Sequence, residues 1–212
     1  MRTIMVANSK GGCGKTTLAA NLASYYANQR NNVALADFDS QGSSSNWLTT
    51  REDHRAPITG IKAWKDAVRA PRNTDYVIMD APAGIHGKQV TELVKRAQTI
   101  ILPVLPSPLD IHAAADFIKE LLVGSKVSKK NTKLAVVANR AKENTVSYGR
   151  LEKFLKRLDI PFITTFRDTQ NYIHAAERGL GIFELPPSSV EKDLDQWKPL
   201  TRWLNSKRSL PG

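Results

Sequence analysis

Two lysines and three glycines stand within six residues near the start of the chain, in Lys10-Gly11-Gly12-Cys13-Gly14-Lys15-Thr16-Thr17. Glycines let successive backbone N–H groups turn around an anion without Cβ clashes. The segment follows an apolar run, Ile4 to Asn8, and precedes a stretch with helical apolar spacing, Thr16 to Gln29. Strand, glycine loop and helix N-terminus in that order make a phosphate site, because the free amides and the helix dipole both favour an anion. Lys15 can reach the β- and γ-phosphates of a nucleoside triphosphate, and the Thr16 hydroxyl can ligate Mg²⁺. The spacing departs from G-x-x-x-x-G-K-[ST]: Ser9 holds the first glycine position, and Lys10-Gly11-Gly12 fills the loop. Cys13 occupies a variable position and reads as a small filler, not a nucleophile.

Three carboxylates stand at strand ends. Asp37 and Asp39 follow the apolar run from Asn32, and Asp80 closes the run from Asp75. Carboxylates at the C-terminal ends of parallel strands border the ligand crevice, and Mg²⁺ takes hard oxygen ligands, often through water. Asp80 therefore suits support of a metal ion. Asp37 either supports the metal shell or only orders its loop. Asn139 ends another apolar strand. Its amide carries the donor and acceptor that adenine needs, and the alternative is a turn. His54, His86, His112 and His174 show no metal-ligand spacing.

The elements that must position these residues alternate along the chain. Strands are expected at Ile4–Asn8, Asn32–Asp37, Asp75–Asp80, Thr99–Val104, Lys133–Asn139 and Ile160–Phe166. Helices are expected at Thr16–Gln29, Ile61–Ala70, Lys88–Ala97, Ile111–Gly124, Thr145–Asp159 and Thr169–Arg178. Alternation with near-continuous apolar strands predicts an α/β fold, a mostly parallel twisted sheet with helices on both faces. The 212 residues suit one domain, 1–212. Apolar residues at 41% and charged residues at 24% exclude a disordered, collagenous or coiled-coil chain. One cysteine forms no internal disulfide, cannot hold an iron–sulfur cluster within the chain, and fits a reducing cytoplasm. No apolar run reaches the ~18 residues a membrane span needs.

The loop Lys-Gly-Gly-x-Gly-Lys-Thr-Thr resembles the deviant Walker A motif of the ParA/MinD family of P-loop ATPases. Ala34-Leu35-Ala36-Asp37-Phe38-Asp39-Ser40-Gln41-Gly42 is similar to that family's D-x-D-x-Q segment, with Ser40 where proline is usual. Tyr76-Val77-Ile78-Met79-Asp80-Ala81-Pro82-Ala83-Gly84 resembles its Walker B strand and turn. Pro103–Asp110 and Val136–Arg140 resemble further family segments, so the likeness covers nearly the whole chain. Short ParF-type partition proteins, which lack an N-terminal helix-turn-helix domain, are similar. The resemblance implies a P-loop NTPase fold, ATP and Mg²⁺ as cofactors, and slow, partner-stimulated hydrolysis. It implies that Lys10 reaches a partner protomer's nucleotide, that Lys15 binds phosphate, and that Asp39 positions the attacking water. It places Gly11, Gly12, Cys13, Gly14, Thr16 and Thr17 around the phosphates, with Thr16, Asp37 and Asp80 at the metal. Asn139 and Pro186 fall at the adenine. Implied partners are a second copy with ATP, non-specific DNA, and a ParB-like or cargo-adaptor protein. The implied place is the cytoplasm, on the nucleoid.

Charge agrees with a polyanionic partner. Lys and Arg total 31 against 20 acids, a net +11. Ten of these cations and only two acids lie between Lys126 and Arg157, a density that neutralises phosphates without reading sequence. Lys126, Lys129, Lys130, Lys153, Lys156, Arg157 and Arg167 are the candidate DNA contacts. Near the C-terminus, Val190, Leu194, Trp197, Leu200, Trp203 and Leu204 recur at helical spacing. They are expected to dock on the core, with Pro199 starting the last helix, and no membrane partner is expected. The readings in competition are a MinD-like membrane-cycling ATPase, a biosynthetic P-loop enzyme, and a nucleotide-gated module without turnover. The cargo, whether a plasmid, a chromosomal locus or a protein assembly, is left open.

Overall fold

A computed structural model describes residues 1–124 and 131–212. The elements in chain order are β1 (Arg2–Val6), α1 (Lys15–Asn28), β2 (Val33–Asp37), α2 (Ser43–Thr49), β3 (Ile58–Lys62), β4 (Tyr76–Asp80) and α3 (Lys88–Val94). They continue with β5 (Thr99–Val104), α4 (Pro108–Lys119), β6 (Lys133–Ala141), α5 (Val146–Lys156), β7 (Phe162–Arg167), α6 (Asn171–Glu177) and α7 (Pro187–Leu204). The strands form one seven-stranded sheet in the order β3-β2-β4-β1-β5-β6-β7, with every pairing parallel.

Period-two alternation along each strand feeds two cores. Met5, Ala34, Val77, Ile100 and Val136 point to one face, where they meet Val90 and Leu93 of α3, Phe117 of α4 and Leu151 of α5. Their neighbours Ile4, Leu35, Ile78, Ile101 and Val137 point to the other, against Leu18 and Leu22 of α1 and Trp197 and Leu200 of α7. Strands apolar on both sides are what a doubly covered parallel sheet requires. The chain crosses over β1 between β4 and β5, so the C-terminal end of β1 sits where the direction of sheet growth reverses. That is the crevice of an open α/β sheet.

Two expectations are corrected and one helix is added. The segment Ile61–Ala70 is not a helix: Ile58–Lys62 forms the edge strand β3, in register with β2 from Val33↔Ile58 to Asp37↔Lys62. Its β-branched Ile58, Thr59 and Ile61 prefer a pleated edge to a helix. A helix that apolar periodicity does not announce, α2, follows Gly42 in the run Ser43-Ser44-Ser45-Asn46-Trp47. Pro199 does not start the last helix; it lies inside α7, which runs from Pro187 to Leu204 with non-helical backbone at Val190. The C-terminal apolar stripe is docked as expected, with Val190, Leu200 and Leu204 fully buried and Trp197 nearly so. No helix among the described residues is long and apolar enough to cross a membrane.

Candidate nucleotide site

The loop between β1 and α1 is held from several sides. Asn8, buried at the end of β1, donates its amide to the Pro103 carbonyl at 2.8 Å and accepts from the Lys10 N–H at 3.1 Å. The Gly84 N–H reaches the Ser9 carbonyl at 2.7 Å, tying the turn after β4 to the loop. Gly12 and Gly14 adopt φ of 76° and 91°, the left-handed region that side chains rarely enter. At Gly14 a second constraint applies: a Cβ would lie 2.2 Å from the Asn139 amide nitrogen. Cys13 is fully buried and its thiol donates to the Lys10 carbonyl at 3.3 Å. Burial pushes that thiol's pKa up, so it is inert filler.

The two loop lysines are divided by environment. Lys15 is buried, and its ammonium donates to the Lys10 carbonyl at 3.0 Å. The Lys10 side chain is exposed. One lysine is therefore built into the phosphate loop and the other stands outside it.

The carboxylates come together at the ends of β2 and β4, where Asp37 and Asp80 are register partners. Asp37 accepts from the Asp39 N–H at 3.1 Å on one oxygen and from the Ser45 N–H at 2.9 Å on the other. It orders the loop and caps α2, whose own N-cap residue is Gly42 and has no side chain to do so. Asp39 is half-buried; its carboxylate accepts from the Gln41 N–H at 3.0 Å, and its carbonyl from the Gly42 N–H at 2.9 Å. Asp80 is 1% exposed, and neither of its carboxylate oxygens has a hydrogen-bond partner. Burial, helped by the neighbouring Asp37 charge, pushes its pKa up to about 7. The Thr16 and Ser44 hydroxyls and the Lys15 charge oppose that rise without cancelling it. A buried carboxylate without partners, facing a hydroxyl, is a hard-oxygen set that a divalent cation completes with water. The residues present therefore fit Mg²⁺ beside a phosphate loop: Thr16 and Asp80 would hold it, with Asp37 one step back.

A cleft of about 240 Å³ opens beside the loop. Gly12, Gly14 and Thr17 form one wall; Asn139, Asp168 and Tyr172 belong to the other side. Asn139 is buried and donates its amide to the Cys13 carbonyl at 2.8 Å, so its first task is to hold the loop. Arg140 follows it with φ of 49° and pairs with Asp168 at 3.3 Å. Pro186 is not among the residues lining this cleft; the β7–α6 connection, Asp168 to Gln170, stands there instead. Sequence reasoning missed that wall, since a polar connection without periodicity carries no signal.

The basic candidates separate. Arg167 is not a free surface cation: its Nε and Nη2 donate to the two carboxylate oxygens of the fully buried Asp193, at 2.5 and 3.0 Å, and it lines the cleft. Lys153, Lys156 and Arg157 are exposed on or just after α5, and Lys156 pairs with Glu152 at 3.0 Å. Lys126, Lys129 and Lys130 lie outside the described residues.

Comparison with known proteins agrees with this geometry. The model of the CobQ/CobB/MinD/ParA nucleotide binding domain matches residues 4–182. Maintenance of carboxysome distribution protein A of Halothiobacillus neapolitanus is 31% identical over 196 residues, 86% of this chain and 87% of that protein. Among solved structures, an ATP complex of a Cyanothece McdA superposes with a TM-score of 0.72 at 16% identity, covering 95% of this chain and 96% of that one. The septum site-determining protein MinD with Mg-ADP from Pyrococcus horikoshii gives 0.74 at 17%, covering 97% and 96%. At such identities the two superpositions speak for the fold.

Proposed function

The chain belongs to the CobQ/CobB/MinD/ParA nucleotide-binding family, and from that premise we propose that it is a ParA-type ATPase that positions a cargo through ATP-dependent dimerisation and non-specific DNA binding. The observation that carries this reading is the division between Lys15, buried in the loop, and Lys10, exposed beside it. Lys15 and the loop amides bind the phosphates. Lys10 is free to meet the nucleotide of a second copy.

In this reading bound Mg²⁺ neutralises charge on the β- and γ-phosphates. Thr16 and Asp80 hold the ion, and Asp39, half-buried in the loop after β2, orients the attacking water. Hydrolysis is slow until a cargo-adaptor protein assists. Two copies joined on ATP present the exposed cations of α5 twice, and log affinity for DNA scales with the phosphates neutralised. The likeness to a carboxysome distribution protein favours a protein assembly over a plasmid as cargo, with the nucleoid as the surface on which it moves. A membrane-cycling reading is weaker, because the apolar stripe of α7 is buried in the core.

The deciding experiment is light scattering with a DNA-shift assay on the Lys10→Ala protein. It should bind ATP in calorimetry, yet neither dimerise nor hold DNA. A variant that dimerises and binds DNA like the parent overturns the reading.

A further inference from the structure

On the face of the sheet opposite α1, a groove of about 480 Å³ lies between the segment that follows β3 and helix α3. Its floor is apolar, made by Phe38, Val68, Pro82, Ile85 and Leu93. The two chain segments that flank it carry a cationic excess. Residues 62–72 and 88–96 together carry seven Lys or Arg and two acids, and all seven cations are exposed. One of the two acids, Glu92, is neutralised by Lys95 at 2.7 Å. Arg69 and Arg96 line the groove itself, as do the two acids, Asp66 and Glu92, so the cationic excess lies in the flanking residues Lys62, Lys65, Arg72, Lys88 and Lys95.

The floor is built from the same strand ends as the nucleotide site. Phe38 lies between Asp37 and Asp39 in the chain, and its N–H donates to the Asp80 carbonyl at 3.0 Å. Pro82 follows Asp80 by two residues. Whatever presses on Phe38 and Pro82 therefore presses on the backbone that carries the three carboxylates.

We propose that this groove docks an acidic, amphipathic segment of a partner protein. The partner seats apolar side chains on the floor and sets carboxylates against Arg69, Arg96 and the neighbouring lysines. An apolar concavity flanked by charge is how a helix or extended peptide is held, and the net positive sign of the two flanking segments selects an acidic one. Duplex DNA would meet the same cations, but it has no apolar side chains with which to fill the floor. The proposal rests on the reading above only in giving the partner the role of cargo adaptor; binding to the groove does not need it.

The test uses the full chain with Mg²⁺ and ATP, and three fluorescein-labelled probes read by anisotropy. They are a synthetic helical peptide of Leu and Glu with the leucines on one stripe, the same peptide with Lys for Glu, and a short DNA duplex. The acidic peptide should bind and the basic one should not. Arg69→Glu with Arg96→Glu should weaken the acidic peptide by about tenfold or more, since two favourable rim pairs become repulsive. Ala67→Trp, which keeps every charge but fills the groove, should block it as well, and thermal unfolding checks that both variants fold. Lys15→Ala should lose ATP and keep the peptide, which separates failure of the nucleotide reading from failure of this one. Equal binding of the acidic and basic peptides, or acidic-peptide affinity unchanged in Ala67→Trp, overturns the proposal. So does displacement of the acidic peptide by the duplex coupled to loss of duplex binding in the charge-reversal variant, which would make this face a nucleic-acid surface.

Discussion

Asp37 and Asp80 stand side by side as register partners at the ends of β2 and β4, and their surroundings give them opposite tasks. Asp37 has a backbone N–H on each carboxylate oxygen; Asp80, equally buried, has none. A carboxylate with both oxygens engaged is a structural strut. One with neither engaged is stable as an anion only when a cation joins it. The pair therefore differs in what its surroundings ask of it: Asp37 builds the loop, and Asp80 is the one whose oxygens are open to a cation.

Asp80→Asn should make the metal-free protein more stable and remove its response to Mg²⁺. Burial raises the Asp80 pKa to about 7 in the folded chain, above the ~3.9 of an unfolded aspartate. The group's contribution to stability is thus full in acid, is lost as pH rises through about 7, and changes no further above it. Each unit of that shift corresponds to about 1.4 kcal/mol. Thermal unfolding from pH 5 to 8, in chelator, should show the advantage of the variant growing with pH. Added Mg²⁺ and nucleotide should then stabilise the parent and not the variant. An advantage equal at pH 5 and pH 8 would show that Asp80 is not an unpaired buried acid.

Asp37→Ala should behave in the opposite sense, as a loss of structure. It leaves the buried Ser45 N–H and the part-buried Asp39 N–H without an acceptor and removes the negative charge from the N-terminus of α2. A cost of about 2–4 kcal/mol follows from hydrogen bonds to a charged acceptor and the lost cap. Asp37→Asn keeps one acceptor oxygen and should recover about half. Denaturant unfolding of the two variants reads the order directly.

Gly14→Ala should disable the loop. The left-handed backbone costs about 1–2 kcal/mol for a residue with a Cβ, and that Cβ would displace the Asn139 amide from the Cys13 carbonyl. Affinity for ATP, read by calorimetry, should fall by more than the strain alone accounts for. Asn139→Ala removes the obstacle and the bond together. Because the two residues are in contact, the double variant should cost less than the sum of the singles.

Much of this site was legible because its signals are local. Glycines before a Lys-Thr pair need only the neighbouring strand and helix to become a phosphate loop, and apolar runs ending in Asp37 and Asp80 announce carboxylates at strand ends. The task of Asp37 was not legible beyond two alternatives, since its partner Ser45 is eight residues on in a helix with no apolar period. The segment Ile61–Ala70 misled for a related reason. Its apolar spacing fits a helix, but an unpaired sheet edge beside β2 takes the β-branched residues first. Arg167 reads as surface charge until the fold brings Asp193 of α7 to it; contacts between distant elements leave no mark on local pattern. Pro186 does not line the cleft beside the loop, where Asp168 to Gln170 stand.

The last prediction concerns the tie between α2 and the segment before α7. Arg51, just past α2, forms a forked pair with Glu184 at 2.9 and 2.7 Å and also donates to the carbonyls of Ala56 and Gly179. Both side chains are almost wholly buried, at 6% and 3% exposure. Burial alone would raise the Glu184 pKa, but the Arg51 hydrogen bonds and the Gly181 N–H outweigh it and hold the carboxyl below its usual value. The stabilisation is therefore present at neutral pH and lost as pH falls through the lowered folded-state value. Arg51→Met leaves a buried anion unpaired and should cost about 3–5 kcal/mol. Glu184→Gln, which keeps an acceptor for Arg51, should cost less. Arg51→Met with Glu184→Leu should recover much of the loss, because two apolar side chains need no counter-charge. Urea unfolding at neutral pH measures all three. Since α2 follows the Asp37–Gly42 loop directly, Arg51→Met should also weaken binding of Mg²⁺ and ATP, while the double variant binds them nearly as the parent does. A double variant as unstable as Arg51→Met would mean that the carbonyl contacts of Arg51, and not its charge pair, hold α2 in place.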